Sequence, residues 1–110
     1  MAAWARRPNK TYTDSVTFAW DPKKAKKNLE KHKVDFREAA TVFDDSFSTT
    51  FADDDHSSGE RRFLIIGMSV RSRILVVSHT EKGDTIRIIN ARIATRQERR
   101  FYEEDESNPS

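Results

Sequence analysis

Arginine is the residue type in this chain with the most chemistry to offer, and it gathers in the second half. Arg61, Arg62, Arg73, Arg87, Arg92, Arg96, Arg99 and Arg100 lie there, the last five of them within fourteen residues. A guanidinium forks onto two phosphate oxygens and stays charged at every working pH. It therefore steadies the extra negative charge that builds when a phosphodiester is attacked. Cleaving RNA asks for little more than a base for the 2′-hydroxyl and an acid for the leaving oxygen, because the nucleophile belongs to the substrate. The three histidines are the side chains best suited to move that proton near neutrality. Phosphate binding without chemistry, or binding of an acidic protein, would use the same arginines, and residue types alone leave those readings open.

Other chemistries drop out. The chain has no cysteine, which removes disulfides, thiol catalysis and cysteine zinc sites together. No phosphate loop, dinucleotide-binding glycine pattern, nucleophile elbow or HExxH zinc motif is present. Asp53, Asp54, Asp55 and His56 form the one run with ligands for a hard cation. Neighbours on one loop do not converge without further positioned ligands, so the run reads as an acidic surface loop. No metal and no cofactor are expected. His32 falls on the inner stripe of a helix and His79 inside an apolar strand, where packing competes with proton transfer as the role of each.

These residues need elements to position them. A length of 110 residues, 35% of them hydrophobic, allows one domain with a thin core, which a partner's buried surface would support. No apolar run reaches the roughly 18 residues of a membrane span and no signal peptide is legible, so a cytoplasmic location and no membrane contact are expected. Charge is blocked along the chain. Residues 1–33 carry nine Lys/Arg against three Asp/Glu, 34–60 one against eight, 61–101 ten against three, and 102–110 four acids alone. Such blocks point to a cationic surface for a polyanion, or to a surface whose charges mix on folding.

Val16 to Trp20 alternates as a short strand. Asp21 then caps a helix whose first position is Pro22, since Asp satisfies an orphan amide and proline has none to lose. The helix runs to about Lys33, with Ala25, Leu29 and His32 on its inner stripe and Lys23, Lys27 and Lys31 on its outer one. Asp35 and Glu38 predict a capping box for a second helix, with Val34 stapled toward Ala39 and a core stripe of Phe36, Ala39, Ala40 and Phe43. Phe47 to Phe51 reads as a strand, and residues 53–60 as a loop. Arg62–Val70, Ile74–Thr80 and Thr85–Ile93 read as a three-stranded meander, because their separators have hairpin length. Thr95 and Glu98 open a last short helix through a second capping box.

The fold class is thus α+β: an antiparallel β-sheet with two N-terminal helices packed on it and a short C-terminal helix, in the order β-α-α-β-β-β-β-α. Both faces of the strands are apolar. The helices cover one face, and the other needs the C-terminal segment or another chain. A single domain over 16–104 is expected between a flexible extension, 1–15, where Arg6, Arg7 and Lys10 could touch nucleic acid, and a disordered tail, 105–110.

The stretches FAWDPKKAKKNLEKHKVDFREAATVFDD, ERRFLIIGMSVRSRILVVSHTE and RIINARIATRQERRFYEE, in this order and spacing, resemble the BrnT-type toxins of bacterial type II toxin-antitoxin systems. Trp20-Asp21, Asn28 to His32 with Asp35-Phe36, Gly67, and the run Arg92, Ala94, Arg96, Glu98, Arg99 carry most of the likeness. The resemblance implies a RelE-like fold and a metal-independent endoribonuclease that arrests translation and growth. It implies as partner a BrnA-type antitoxin with a ribbon-helix-helix domain, which neutralises the toxin, alone touches operator DNA, and forms a two-plus-two heterotetramer with it.

His32, Arg62, Arg73, Arg92, Arg96 and Arg99 stand at family-like positions. As catalytic residues the reading takes Arg73 and Arg92 on the scissile phosphate, His79 or His32 for proton transfer, and Arg62. Lys23, Lys27, Arg96, Arg99 and Arg100 are expected to hold RNA by its flanking phosphates. Two positions depart from the family pattern. Lys33 stands where glycine is usual, so a left-handed helix cap would cost roughly 1 kcal/mol, and Asn90 stands where serine is usual. The rival readings are a non-catalytic nucleic-acid-binding module and a toxin that acts on DNA gyrase by protein binding.

Overall fold

A computed structural model describes residues 16–56 and 59–107. The expected extension over 1–15, with Arg6, Arg7 and Lys10, lies outside them. The elements are β1 (Thr17–Ala19), α1 (Pro22–His32), α2 (Phe36–Thr41), β2 (Thr49–Ala52), β3 (Arg62–Met68), β4 (Ile74–Lys82), β5 (Thr85–Ile93) and α3 (Arg96–Ser107), with 3-10 turns at Val42–Asp44 and Asp54–His56. This is the expected α+β order. One sheet holds all five strands in the order β1-β5-β4-β3-β2. It is mixed rather than wholly antiparallel, since β1 runs parallel to β5 while the remaining pairs are antiparallel. No hairpin joins β1 to β5, so nothing local dictates their relative direction. The last helix reaches Ser107, into the stretch read as a tail. Among the described residues no helix is long and apolar enough to cross a membrane.

Local chemistry accounts for the helix ends. The Asp21 carboxylate accepts from the Lys23 N–H at 2.8 Å and Pro22 opens α1. At the other end Lys33 takes the left-handed conformation, φ 59° and ψ 32°, with its N–H on the Leu29 carbonyl. A residue with a Cβ bears a steric cost there that glycine escapes. The inner stripe of α1 differs from the one expected: Asn28 is buried and Leu29 is 47% exposed. Asn28 faces inward because its amide meets β5. It donates to the Ala91 carbonyl at 2.8 Å and to the Val34 carbonyl at 3.0 Å, and accepts from the Ala91 N–H at 3.1 Å. β1 pairs with only Thr85 to Arg87, so the outer edge of β5 beyond them lacks a strand, and the Asn28 amide supplies the missing donor and acceptor at Ala91.

The sheet separates two cores. On one face α1 and α2 cover Ile65, Leu75, Val77, Ile88 and Ala91 with Val34, Phe36, Val42 and Phe43. On the other, Ile66, Ile74, Val76 and Phe51 meet Ala94 and Tyr102, the latter from α3. Asp45 joins the two halves: its carboxylate accepts from the Phe47 N–H at 3.0 Å, the Met68 N–H at 2.8 Å and the Tyr102 hydroxyl at 2.6 Å. Gly67 permits that approach, since a Cβ there would lie 2.8 Å from Val42 Cγ1 and 2.9 Å from Ser48 Cβ.

A bulge interrupts the β4–β5 ladder. Ser78 pairs with Asn90 but His79 pairs with Ile88, leaving Ile89 as an extra residue in β5. Lys33→Gly is expected to raise stability by about 1 kcal/mol, the relief of a left-handed non-glycine cap, read as a higher melting temperature with an unchanged far-UV spectrum.

Candidate functional site

Residues directly opposite each other in a ladder share a face, so the register locates every side chain of the sheet. Arg62 on β3, Thr80 on β4 and Arg87 on β5 form one row on the face away from α1 and α2. Leu64, Ser78 and Asn90 form the next row, and Ile66, Val76 and Arg92 the third. With neighbouring strands about 4.8 Å apart, Arg62 and Arg87 stand about 10 Å apart at the backbone on either side of Thr80. Without the bulge at Ile89, Arg87 and Arg92 would fall on opposite faces, being an odd number of residues apart. The open face thus carries a polar, basic strip of Arg62, Arg87, Asn90 and Arg92 beside an apolar area under α3.

Each arginine expected on the scissile phosphate holds a carboxylate of its own chain. The Arg73 guanidinium grips both oxygens of Glu38, with Nε at 2.9 Å from Oε2, and donates to the Lys33 carbonyl at 3.0 Å. Ser69 Oγ donates to the same carboxylate at 2.7 Å. Glu38 therefore does not close the capping box expected with Asp35, whose carboxylate alone caps α2 through the Arg37 N–H. Hydrogen bonding to Arg73 holds Glu38 below the usual carboxylate range, against the opposing effect of burial. This cluster ties the end of α1, the start of α2 and the β3–β4 turn on the helix-covered side. Arg92 lies on the other side of the sheet, so the two guanidinium groups do not converge.

Arg92 sits on a bidentate bridge to Glu98, at 2.7 and 2.9 Å. Glu98 also closes the expected box with Thr95, accepting its N–H at 2.8 Å while its own N–H donates to Thr95 Oγ1 at 3.2 Å. The Arg92 hydrogen bonds, with Thr95 contributing, bring the Glu98 carboxyl from the usual 4.5 down to about 2. The same bonds push the Arg92 pKa up.

The histidines stand apart from the strip. His79 is fully buried on the helix-covered face, its ring edge-on to Phe43 at 4.8 Å and stacked on Phe63 at 5.8 Å, with Nε2 at 3.0 Å from Glu81. His32 is half-buried at the end of α1, on that same side. Lys23 and Lys27 are exposed on α1, whereas Arg96, Arg99 and Arg100 are exposed on α3, so the cations expected to hold RNA divide between two layers. Arg87 bridges to Glu60 at 2.6 Å. Among the described residues no three His, Asp or Glu side chains gather as a metal-ligand set. Sequence reasoning gave Glu98 a capping role only. The signal for its second role was its place six residues after Arg92, legible once β5 is known to turn directly into α3.

The fold and site are those of a small α+β protein with one helix-covered sheet face and one basic open face. Residues 20–98 match the family model of BrnT, the ribonuclease toxin of type II toxin-antitoxin systems, and the chain belongs to that family. Among solved structures, the Brucella abortus ribonuclease toxin BrnT, determined at 1.1 Å, is similar with a TM-score of 0.57 at 21% identity, over 74% of this chain and 99% of that one. That likeness shows a shared fold. No curated protein sequence matches.

Two predictions follow from the ion pairs. Glu98 is depressed in the folded state, so its stabilisation is complete above pH 4.5 and is lost as pH falls toward about 2. Acid melts of Glu98→Gln, less stable at neutral pH, should converge on the parent's across that window. Arg73→Ala should cost about 2–4 kcal/mol in denaturant melts, the penalty for leaving the Glu38 carboxylate unpaired, discounted for the guanidinium's partial exposure.

Proposed function

We propose that this chain is the RNA-cleaving toxin of a toxin-antitoxin pair and that it works without metal on the open sheet face. The observation that carries this reading is the gathering of Arg62, Arg87 and Arg92 on one face by the β5 bulge. Three guanidinium groups share that face with Asn90, Arg87 on Glu60 and Arg92 on Glu98, and a phosphate that competes with those carboxylates would meet all three charges.

Arg92 and Glu98 act as an exchangeable pair. A carboxylate held at about 2 is a poor base. When a substrate phosphate draws Arg92 away, Glu98 returns toward its ordinary range and takes the 2′-hydroxyl proton, while Arg92 now steadies the charge on the phosphate. The 2′-oxygen attacks phosphorus, the bond to the 5′-oxygen breaks, and that oxygen takes a proton from water, since both His79 and His32 lie across the sheet. The products are a 2′,3′-cyclic phosphate and a 5′-hydroxyl. Arg73 and His79 serve the fold in this mechanism, and Arg99, exposed on α3, holds a flanking phosphate, while Lys23 and Lys27 lie with α1 across the sheet. The partner is a BrnA-type ribbon-helix-helix antitoxin in a two-plus-two assembly.

Purified protein should cut RNA in the presence of EDTA. Arg92→Ala should slow cleavage at least about tenfold, and Glu98→Gln by about a hundredfold, with helix content checked by circular dichroism. Cleavage that requires added metal, or that both variants leave intact, would overturn the mechanism. Salt-steep binding without cleavage would instead mark a non-catalytic binding module.

A further inference from the structure

α3 crosses the open face without filling it. Between the helix and β2–β4 lies a groove of about 720 Å³, walled by Phe51, Leu64, Ile66, Val76 and Phe101, with Gln97 and Glu98 at its α3 side. Phe101 stays 40% exposed there. That volume falls in the range that holds several apolar groups, as when one face of a helix is laid into a groove.

The α3 ridge beside the groove is charged. Arg96 and Arg100, four residues apart, stand one position before Gln97 and Phe101, so they rise along the groove's outer lip. Neither has an ion-pair partner among the described residues. The groove is therefore apolar along its length, with Arg96 and Arg100 exposed beside its α3 wall.

We infer that this groove seats a segment of the antitoxin: apolar side chains spaced along one face, flanked by acids that meet Arg96 and Arg100. The antitoxin as partner rests on the reading above; the seat rests on the groove and the two arginines beside it. A polynucleotide fits less well, because the side chains of Phe51, Leu64, Ile66, Val76 and Phe101 that wall the groove carry no hydrogen-bonding groups for phosphates or base edges. The seat also explains how binding would silence the protein. Glu98 lines the groove, and a segment packed against it keeps Arg92 on its carboxylate and the basic strip out of reach of RNA.

The test is binding of the full chain to its purified cognate antitoxin, measured by titration calorimetry over a range of salt. Arg96→Glu with Arg100→Glu should weaken binding at least about tenfold, with the deficit shrinking as salt rises. Phe101→Glu should weaken it comparably. Val70→Glu, at a residue 70% exposed outside the groove, should leave affinity unchanged. Each variant is first checked by thermal melting, and the double surface variant carries the test if Phe101→Glu does not fold. Unchanged affinity in folded groove variants, or a loss confined to Val70→Glu, overturns the proposal. So does Phe101→Glu slowing RNA cleavage at unchanged antitoxin affinity, which would make the groove a nucleotide site. A parent protein that binds antitoxin through the groove but cuts no RNA would sink the catalytic reading alone.

Discussion

One extra residue in a strand governs which cations share a face of the sheet. Ile89 interrupts the two-residue alternation of β5, and the side chains on either side of it change their relation to the sheet. Arg87 and Arg92 then share a face, together with Arg62 from β3. The bulge is held by more than the β4 ladder: Asn28, from α1, bonds both the N–H and the carbonyl of Ala91 two residues on. Those two groups would otherwise be an open, buried edge. A helix packed on one face thereby stabilises a distortion whose consequence appears on the other.

Carboxylates supply the second level of organisation. Glu38 gathers Arg73 and Ser69, Glu98 gathers Arg92 and the α3 cap, and Asp45 gathers β3 and α3. Each is a single anion that satisfies several donors from distant parts of the chain. That economy suits a protein with a thin core, because a buried or half-buried anion is tolerated only when its lone pairs are filled. The acidic block between the two basic blocks is thus partly absorbed inside the fold: Glu38 and Asp45 serve internal donors, and the exposed cations of α1 and α3 remain outside. Arg73 and Arg92, so alike in sequence, part ways here. One is enclosed among α1, α2 and a turn, and the other stands at the rim of an open face.

That open face has two characters. Along β5 it is polar and basic, suited to a phosphate backbone. Beneath α3 it is apolar, walled by Phe51, Leu64, Ile66, Val76 and Phe101. The Arg92–Glu98 pair sits at the junction of the two.

Much of the organisation was legible in the residues themselves. Asp21 with Pro22, Asp35, and Thr95 with Glu98 announced three helix starts, and the apolar runs announced the meander, because capping and alternation act over a few neighbouring residues. The likeness carried by the ordered segments pointed to the family. The strain at Lys33 could be foreseen once glycine was the usual occupant. Long-range facts were not legible. The parallel seating of β1, the inward turn of Asn28 in place of Leu29, the diversion of Glu38 from its capping box to Arg73, and the burial of His79 between Phe43 and Phe63 all depend on partners tens of residues away. Above all, alternation counted along β5 would have put Arg87 and Arg92 on opposite faces. The sequence by itself determined which segments form elements and which cations exist; the folded sheet, through one unpaired residue and the helix that braces it, decided which of those cations stand together.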